Sequence, residues 1–231
     1  MLAAWLKNHF QAVWRAAFAA CMLPALVLLY AARADQLGPN PLARLLHTTG
    51  RSALVLLTLT LAVTPLRRWL TRLSTLTQRR YGKRLADWNW LIRLRRMLGL
   101  WCFAYALAHA WIYSAFDLAY DWSAAWSELQ EKPYILAGLC ALLLLVPLAA
   151  TSTQAMMRRL GRHWRRLHRL SYAVAVLGLL HFWWMTKPGL RTPWPDTLVL
   201  TVLLGYRAAL YSGLLERWDG FDGKESMERP T

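Results

Sequence analysis

The stretch RLHRLSYAVAVLGLLHFWWM, residues 166–185, is an apolar run that carries two histidines, His168 near its start and His181 near its end. Its length decides the fold, because about 20 helical residues rise about 30 Å, the thickness of a bilayer core. Similar stretches free of acidic and basic residues occur at 16–32, 52–66, 97–116, 133–155 and 197–206. With 57% hydrophobic residues and 14 tryptophans in 231 residues, the chain has more apolar surface than a soluble domain of this size hides. The expectation is an all-α polytopic membrane protein, a bundle of six transmembrane helices. Its spans fall at about 11–32, 50–69, 96–117, 133–153, 166–186 and 196–215. Residues 1–215 form the transmembrane domain, and 216–231 a polar tail.

A net charge of +16 raises the question of nucleic acid, and its distribution answers no. Residues 67–96 carry ten arginines and lysines against the single acid Asp87, and 156–169 carry six arginines and no acid. Residues 117–132 reverse the sign, with Asp117, Asp121, Glu128 and Glu131 against Lys132. Short loops rich in Lys and Arg stay on the cytoplasmic side, where they also meet anionic lipid headgroups. That rule puts both termini in the cytoplasm and the acidic loop outside. The first apolar run is read as a span rather than a signal peptide.

The three cysteines, Cys21, Cys102 and Cys140, lie in apolar spans and form no CxxC, so neither a disulfide framework nor covalent c-type haem attachment is expected. There is no GxGxxG or P-loop and no segment able to form a soluble nucleotide-binding domain. Electrons drawn from a pyridine nucleotide would have to arrive through a partner.

Six histidines sort by depth. His9 and His163 belong to basic segments beside the membrane, and His47 to the outer end of the second span. His109 lies deep in the third span and His181 deep in the fifth, both of which run outward. At ~1.5 Å per residue, His109 stands about 20 Å beyond Arg96, and His181 about 20 Å beyond His168. The two deep imidazoles therefore share a level, as ligands on facing helices of a bundle do. Zinc would want a tetrahedral donor set that these spans lack. Axial ligation of haem iron against the apolar walls LLHFWWM and WCFAYALAHAW fits better. Interhelical hydrogen bonding is the alternative use of buried histidines, although ionisable groups inside spans are usually functional. His168 points about 140° away from His181 on an ideal helix. The matching level of the third span holds Arg95 and Arg96, which suit a propionate or a flavin phosphate rather than iron.

Three blocks carry a family resemblance: HTTGRSALVLLTLTLAVTPLRRW (47–69), RRMLGLWCFAYALAHAWIY (95–113) and TSTQAMMRRLGRHWRRLHRLSYAVAVLGLLHF (151–182). They resemble the ferric-reductase-like transmembrane domain shared with NADPH oxidases and metalloreductases. Within it they resemble the MsrQ family, haem-binding membrane subunits of bacterial periplasmic protein-methionine-sulfoxide reductase systems. The resemblance covers about residues 42–186. It implies a six-helix bundle in the bacterial inner membrane that binds haem b and FMN. It also implies a periplasmic molybdopterin-containing catalytic subunit as acceptor, with the quinone pool or a cytosolic flavin reductase as donor. His109 and His181 match the family's outer haem pair and His168 its inner histidine. The oxidases carry a fourth histidine where this chain has Arg95 or Arg96, which leaves room for a flavin at the inner level. The expected role is electron transfer without substrate chemistry of its own. Two alternatives are a partnered ferric or oxygen reductase at the outer face and a histidine-based proton-conducting transporter. The latter would need a polar pathway through the spans.

Overall fold

The computed structural model describes residues 9–77, 82–186 and 193–212. The expected tail at 216–231 and the loop residues 187–192 lie outside the described residues. Every regular element among the described residues is helical. The chain divides into two compact units, residues 1–193 and 194–231, and each is described by itself.

In the first unit α1 spans Phe10–Arg33, α2 Pro41–Leu76, α3 Trp90–Ile112 and α4 Trp122–Glu131. Pro133–Ala150 (α5), Gln154–Leu160 (α6), Arg162–Leu167 (α7) and Leu170–Met185 (α8) follow. A 3-10 turn, Leu85–Trp88, leads into α3, and a π turn, Tyr113–Asp117, extends its far end. The second unit contributes α9, Trp194–Tyr211. Among the described residues three helices, α1, α2 and α5, are long and apolar enough to cross a membrane by length and composition.

Helix α2 is much longer than the span expected at 50–69. Asn40 starts it by accepting a hydrogen bond from Ala43 N–H at 3.0 Å, with Pro41 at the first helical position, where its missing N–H costs nothing. It runs through Pro65 and ends at Leu76. Apolarity registers only the lipid-depth part of a helix, whereas the backbone ladder continues through good helix formers such as Leu and Arg. Thr58 and Thr60 within it return their hydroxyls to the carbonyls one turn earlier, at 2.9 and 2.8 Å, so that neither hydroxyl is left unpaired.

The most extensive helix contacts join α2 to α3 and α5 to α8. Leu61, Cys102, Val174 and Ala175 are essentially sealed in the interior. Leu23, Leu26, Leu29 and Leu143 are half or more exposed, the pattern of side chains that face hydrocarbon rather than water.

Helix α1 contains Pro24, which cannot donate to the carbonyl one turn back. Just beyond it, the Tyr105 hydroxyl of α3 accepts from Ala25 N–H at 3.1 Å and donates to the Cys21 carbonyl at 2.7 Å. An uninterrupted helix would join those two groups to each other. A side chain inserted in the ladder at a proline is a recognised cause of a bend.

At the basic end, Asp87 folds the turn before α3 by accepting from Gly82 N–H at 3.2 Å and Arg84 N–H at 3.3 Å. Trp88 Nε1 closes it with a 3.0 Å bond to the Gly82 carbonyl. Gly82 has φ of +97°, and a Cβ there would stand 2.7 Å from Ser74 Oγ, so only glycine fits.

Candidate functional site

His109 on α3 and His181 on α8 come together, with ring centres 5.9 Å apart and ring planes crossed at 88°. Each ring is tied to a neighbouring helix through the same atom. His109 Nδ1 lies 3.0 Å from the Leu46 carbonyl of α2, and His181 Nδ1 lies 2.7 Å from the Tyr134 carbonyl of α5. A carbonyl only accepts, so Nδ1 carries the proton in both rings and each Nε2 keeps its lone pair. Thr49 Oγ1, at 3.4 Å, adds a weaker contact to His109 Nδ1 while donating its own proton to the Leu45 carbonyl at 2.8 Å.

This is the arrangement of metal-ligating histidines, whose second nitrogen is held by an outer partner. A metal bound on opposite sides by bonds of about 2 Å needs ring centres roughly 6 Å apart, which the observed spacing meets. Among the described residues no group of three or more His, Cys, Asp and Glu could hold an ion. A macrocycle, which brings its own donors, needs only two axial ligands from the protein.

His168 is placed elsewhere. It caps the C-terminus of α7, its Nε2 is 3.3 Å from Thr151 Oγ1, and its ring lies tilted against Trp164 with centres 4.0 Å apart. Thr151 gives its proton to the Pro147 carbonyl at 2.7 Å, so its oxygen accepts from His168 Nε2–H. Trp164 Nε1 in turn donates to the Thr151 carbonyl at 3.0 Å. Arg95 lies within electrostatic reach of His168, whereas Arg96 is exposed. At the same basic end, Arg67 Nε and Trp90 Nε1 are buried without a hydrogen-bond partner among the described residues. Arg67 Nη2 donates to the Leu85 carbonyl at 2.9 Å and to Asn89 Oδ1 at 2.5 Å.

His9, His47 and His163 are exposed. Trp111 and Trp184, expected as possible walls, are more than half exposed, while Trp101 packs on Phe18 and Tyr105. One turn beyond His109, Tyr113 donates to the Glu128 carboxylate of α4, which also receives Lys132 Nζ at 2.5 Å. Lys132 first, and Tyr113 after it, hold the Glu128 carboxyl below the usual carboxylate range, and Glu128 raises the Lys132 ammonium in return. Asp121 caps the start of α4 through Ser123 and Ala124 N–H, and the Ser123 hydroxyl and these amides lower its carboxyl.

Sequence reasoning did not single out Leu46, Gly50, Tyr134 and Gly138, the backbone seats of the two rings. Backbone acceptors leave no residue-type signal. The nearest available hint was one glycine in each apolar partner stretch, HTTGRS and PYILAGLC.

Residues 49–179 match the family described as ferric reductase like transmembrane component. The chain is 45% identical over 174 residues to the protein-methionine-sulfoxide reductase heme-binding subunit MsrQ of Xanthomonas oryzae pv. oryzae, covering 75% of this chain and 72% of that one. The subunit of that name in Xanthomonas campestris pv. campestris is 46% identical over 173 residues, with the same coverage. Its counterpart in Herminiimonas arsenicoxydans is 44% identical over 169 residues, 73% of this chain and 70% of that one. The chain belongs to the MsrQ family. Both deep histidines' helices overlap the ferric-reductase-like match, and so do the MsrQ-type blocks at 47–69 and 95–113. No solved structure matches it.

Proposed function

We propose that this chain is the electron-transfer membrane subunit of a protein-methionine-sulfoxide reductase system, carrying electrons outward through a b-type haem held by His109 and His181. The observation that carries the reading is the pair of crossed imidazoles, ring centres 5.9 Å apart, with Nδ1 of each on a backbone carbonyl. The haem, when bound, supplies a one-electron carrier in the outer half of the membrane. The protein's part is to present two Nε2 lone pairs, hold the rings through Leu46 and Tyr134, and surround them with apolar helices. Burial and axial ligation then set the potential.

The six long helices are six membrane crossings in this reading, α9 included, as one transmembrane domain of the bacterial inner membrane with both termini cytoplasmic. The inner level takes FMN, with Arg95 and Arg96 facing its phosphate and His168 beside it. The buried donors Arg67 Nε and Trp90 Nε1 at that end suit an acceptor-rich ligand. A quinol or a cytosolic flavin reductase supplies electrons there, and a periplasmic molybdopterin-containing subunit receives them on the side of the acidic 117–132 loop.

Pyridine haemochrome on protein purified in detergent tests the reading. Wild type holds about one b-haem per chain, and His109→Ala and His181→Ala lose it, while His168→Ala keeps it. Changing Arg95 and Arg96 together to alanine removes FMN and leaves haem. Wild type without haem after haem-replete expression sinks the conduit reading. Loss of haem but not FMN in the double arginine variant sinks the placement of the flavin.

A further inference from the structure

The two imidazole seats are built alike. In α2 the acceptor carbonyl is Leu46 and the residue one turn later is Gly50. In α5 the acceptor is Tyr134 and the residue one turn later is Gly138. A Cβ at Gly50 would stand 3.1 Å from His109 Nδ1 and 3.2 Å from its Cε1. At Gly138 it would stand 2.9 Å from His181 Nδ1 and 3.1 Å from its Cε1. The crowding is directed at the rings, not at helix backbones. It is also confined to these two sites among the glycines inside the first unit's helices, since Gly99 has nothing within 4 Å and Gly178 only Leu54 Cδ1 at 3.9 Å. Glycine inside a helix weakens it relative to alanine, so its use against both imidazoles calls for a reason.

We infer that Gly50 and Gly138 are positioning residues that fix the tautomer and the plane of the two haem-ligating imidazoles, through matched carbonyl–glycine seats on α2 and α5. The inference rests on the haem reading of His109 and His181. The carbonyl one turn before each glycine already accepts the helix's own bond, and its second lone pair is reachable only from the side. Without a Cβ at the glycine, the ring edge slides over the helix surface and Nδ1–H reaches that lone pair. Each ring plane is then dictated by the direction of its own seat helix rather than by the other ring. Two seats on different helices set the planes at 88°. A methyl group at Gly138 must push the ring off the shorter of the two bonds, so that site is the more sensitive.

The test uses the haem-loaded full chain in detergent. Crossed imidazole planes give ferric low-spin haem a large-g, strongly axial electron paramagnetic resonance signal, and parallel planes give a rhombic one. The wild type is expected to show the large-g signal. Gly138→Ala, and to a lesser degree Gly50→Ala, are expected to move it and shift the midpoint potential. Haem affinity, followed by transfer to apomyoglobin, should fall roughly 10-fold or more. Gly99→Ala should match wild type in all three readouts. Glycine variants indistinguishable from Gly99→Ala overturn the inference, as does a rhombic wild-type signal. The wild-type measurement decides even if Gly138→Ala fails to accumulate. Wild type with no haem overturns the ligand reading itself and the seats with it, whereas haem bound with unmoved spectra overturns the seats alone.

Discussion

His109 and His181 are oriented by carbonyls, so the identity of the side chains at 46 and 134 matters less than their place on a helix. Tyr134→Phe keeps the acceptor and removes only a hydroxyl; its haem content by pyridine haemochrome is expected to stay at the wild-type level. A large loss there would mean the hydroxyl, not the carbonyl, is the working group. The Glu128 cluster makes a different prediction at this scale. Lys132 and then Tyr113 depress the folded carboxyl, so the stabilisation is present above the unfolded Glu value, about 4.3, and is lost as pH falls through the lower folded value. Glu128→Gln should therefore lower stability at neutral pH and flatten its decline below about pH 4.3. The cluster is water-exposed on one side, so the effect in a pH series of thermal melts stays under about 1 kcal/mol. An unchanged acid limb in the variant would show that the contact is absent in solution. The histidine pair was legible beforehand, but the carbonyls that seat the rings and the Tyr113–Glu128 contact were not. Tyr113 and Glu128 are 15 residues apart across a turn, and no spacing rule links them.

At the scale of elements, α1 and α3 are locked by one hydroxyl. Tyr105 both accepts from Ala25 N–H and donates to the Cys21 carbonyl beside Pro24. Tyr105→Phe strands the buried Cys21 carbonyl and the Ala25 N–H, at an expected cost of about 1–3 kcal/mol in a detergent unfolding measurement. The loss should shrink on a Pro24→Ala background, where the helix can close its own bond, and the coupling between the two changes is the readout. Equal losses on both backgrounds would mean that the hydroxyl stabilises independently of the break at Pro24. The helices themselves were legible because apolar runs without charges announce them, and the observed α1, α3, α5 and α8 fall within a few residues of the expected spans, α3 being shifted furthest, at both ends. The length of α2 was not, since Asn40 capping and helix-forming charged residues extend it beyond any apolar window. The break between α6 and α7 was also hidden. It falls at Gly161, with φ of +49°, inside a basic run expected only as a loop.

For the whole molecule, the level shared by His109 and His181 could be read from the rise per residue once the two runs were taken as parallel spans. His168 could not be paired in that way, because its partners Thr151 and Trp164 sit in a loop and a short helix whose packing follows from tertiary contacts alone. The charge pattern makes the remaining prediction. Basic segments 67–96 and 156–169 and the acidic 117–132 segment alternate along the chain, and Lys and Arg hold short loops on the cytoplasmic side. Cys21 and Cys102 are buried and Cys140 is partly so, which gives a low background for labelling introduced cysteines. Ser123→Cys on exposed α4 should react with a membrane-impermeant maleimide in spheroplasts. Arg165→Cys on exposed α7 should react only after the membrane is broken. The reverse pattern would turn the molecule over, carrying the histidine pair toward the cytoplasm. The route from a cytoplasmic donor to a periplasmic acceptor would then lose its exit, however well the two rings hold a haem.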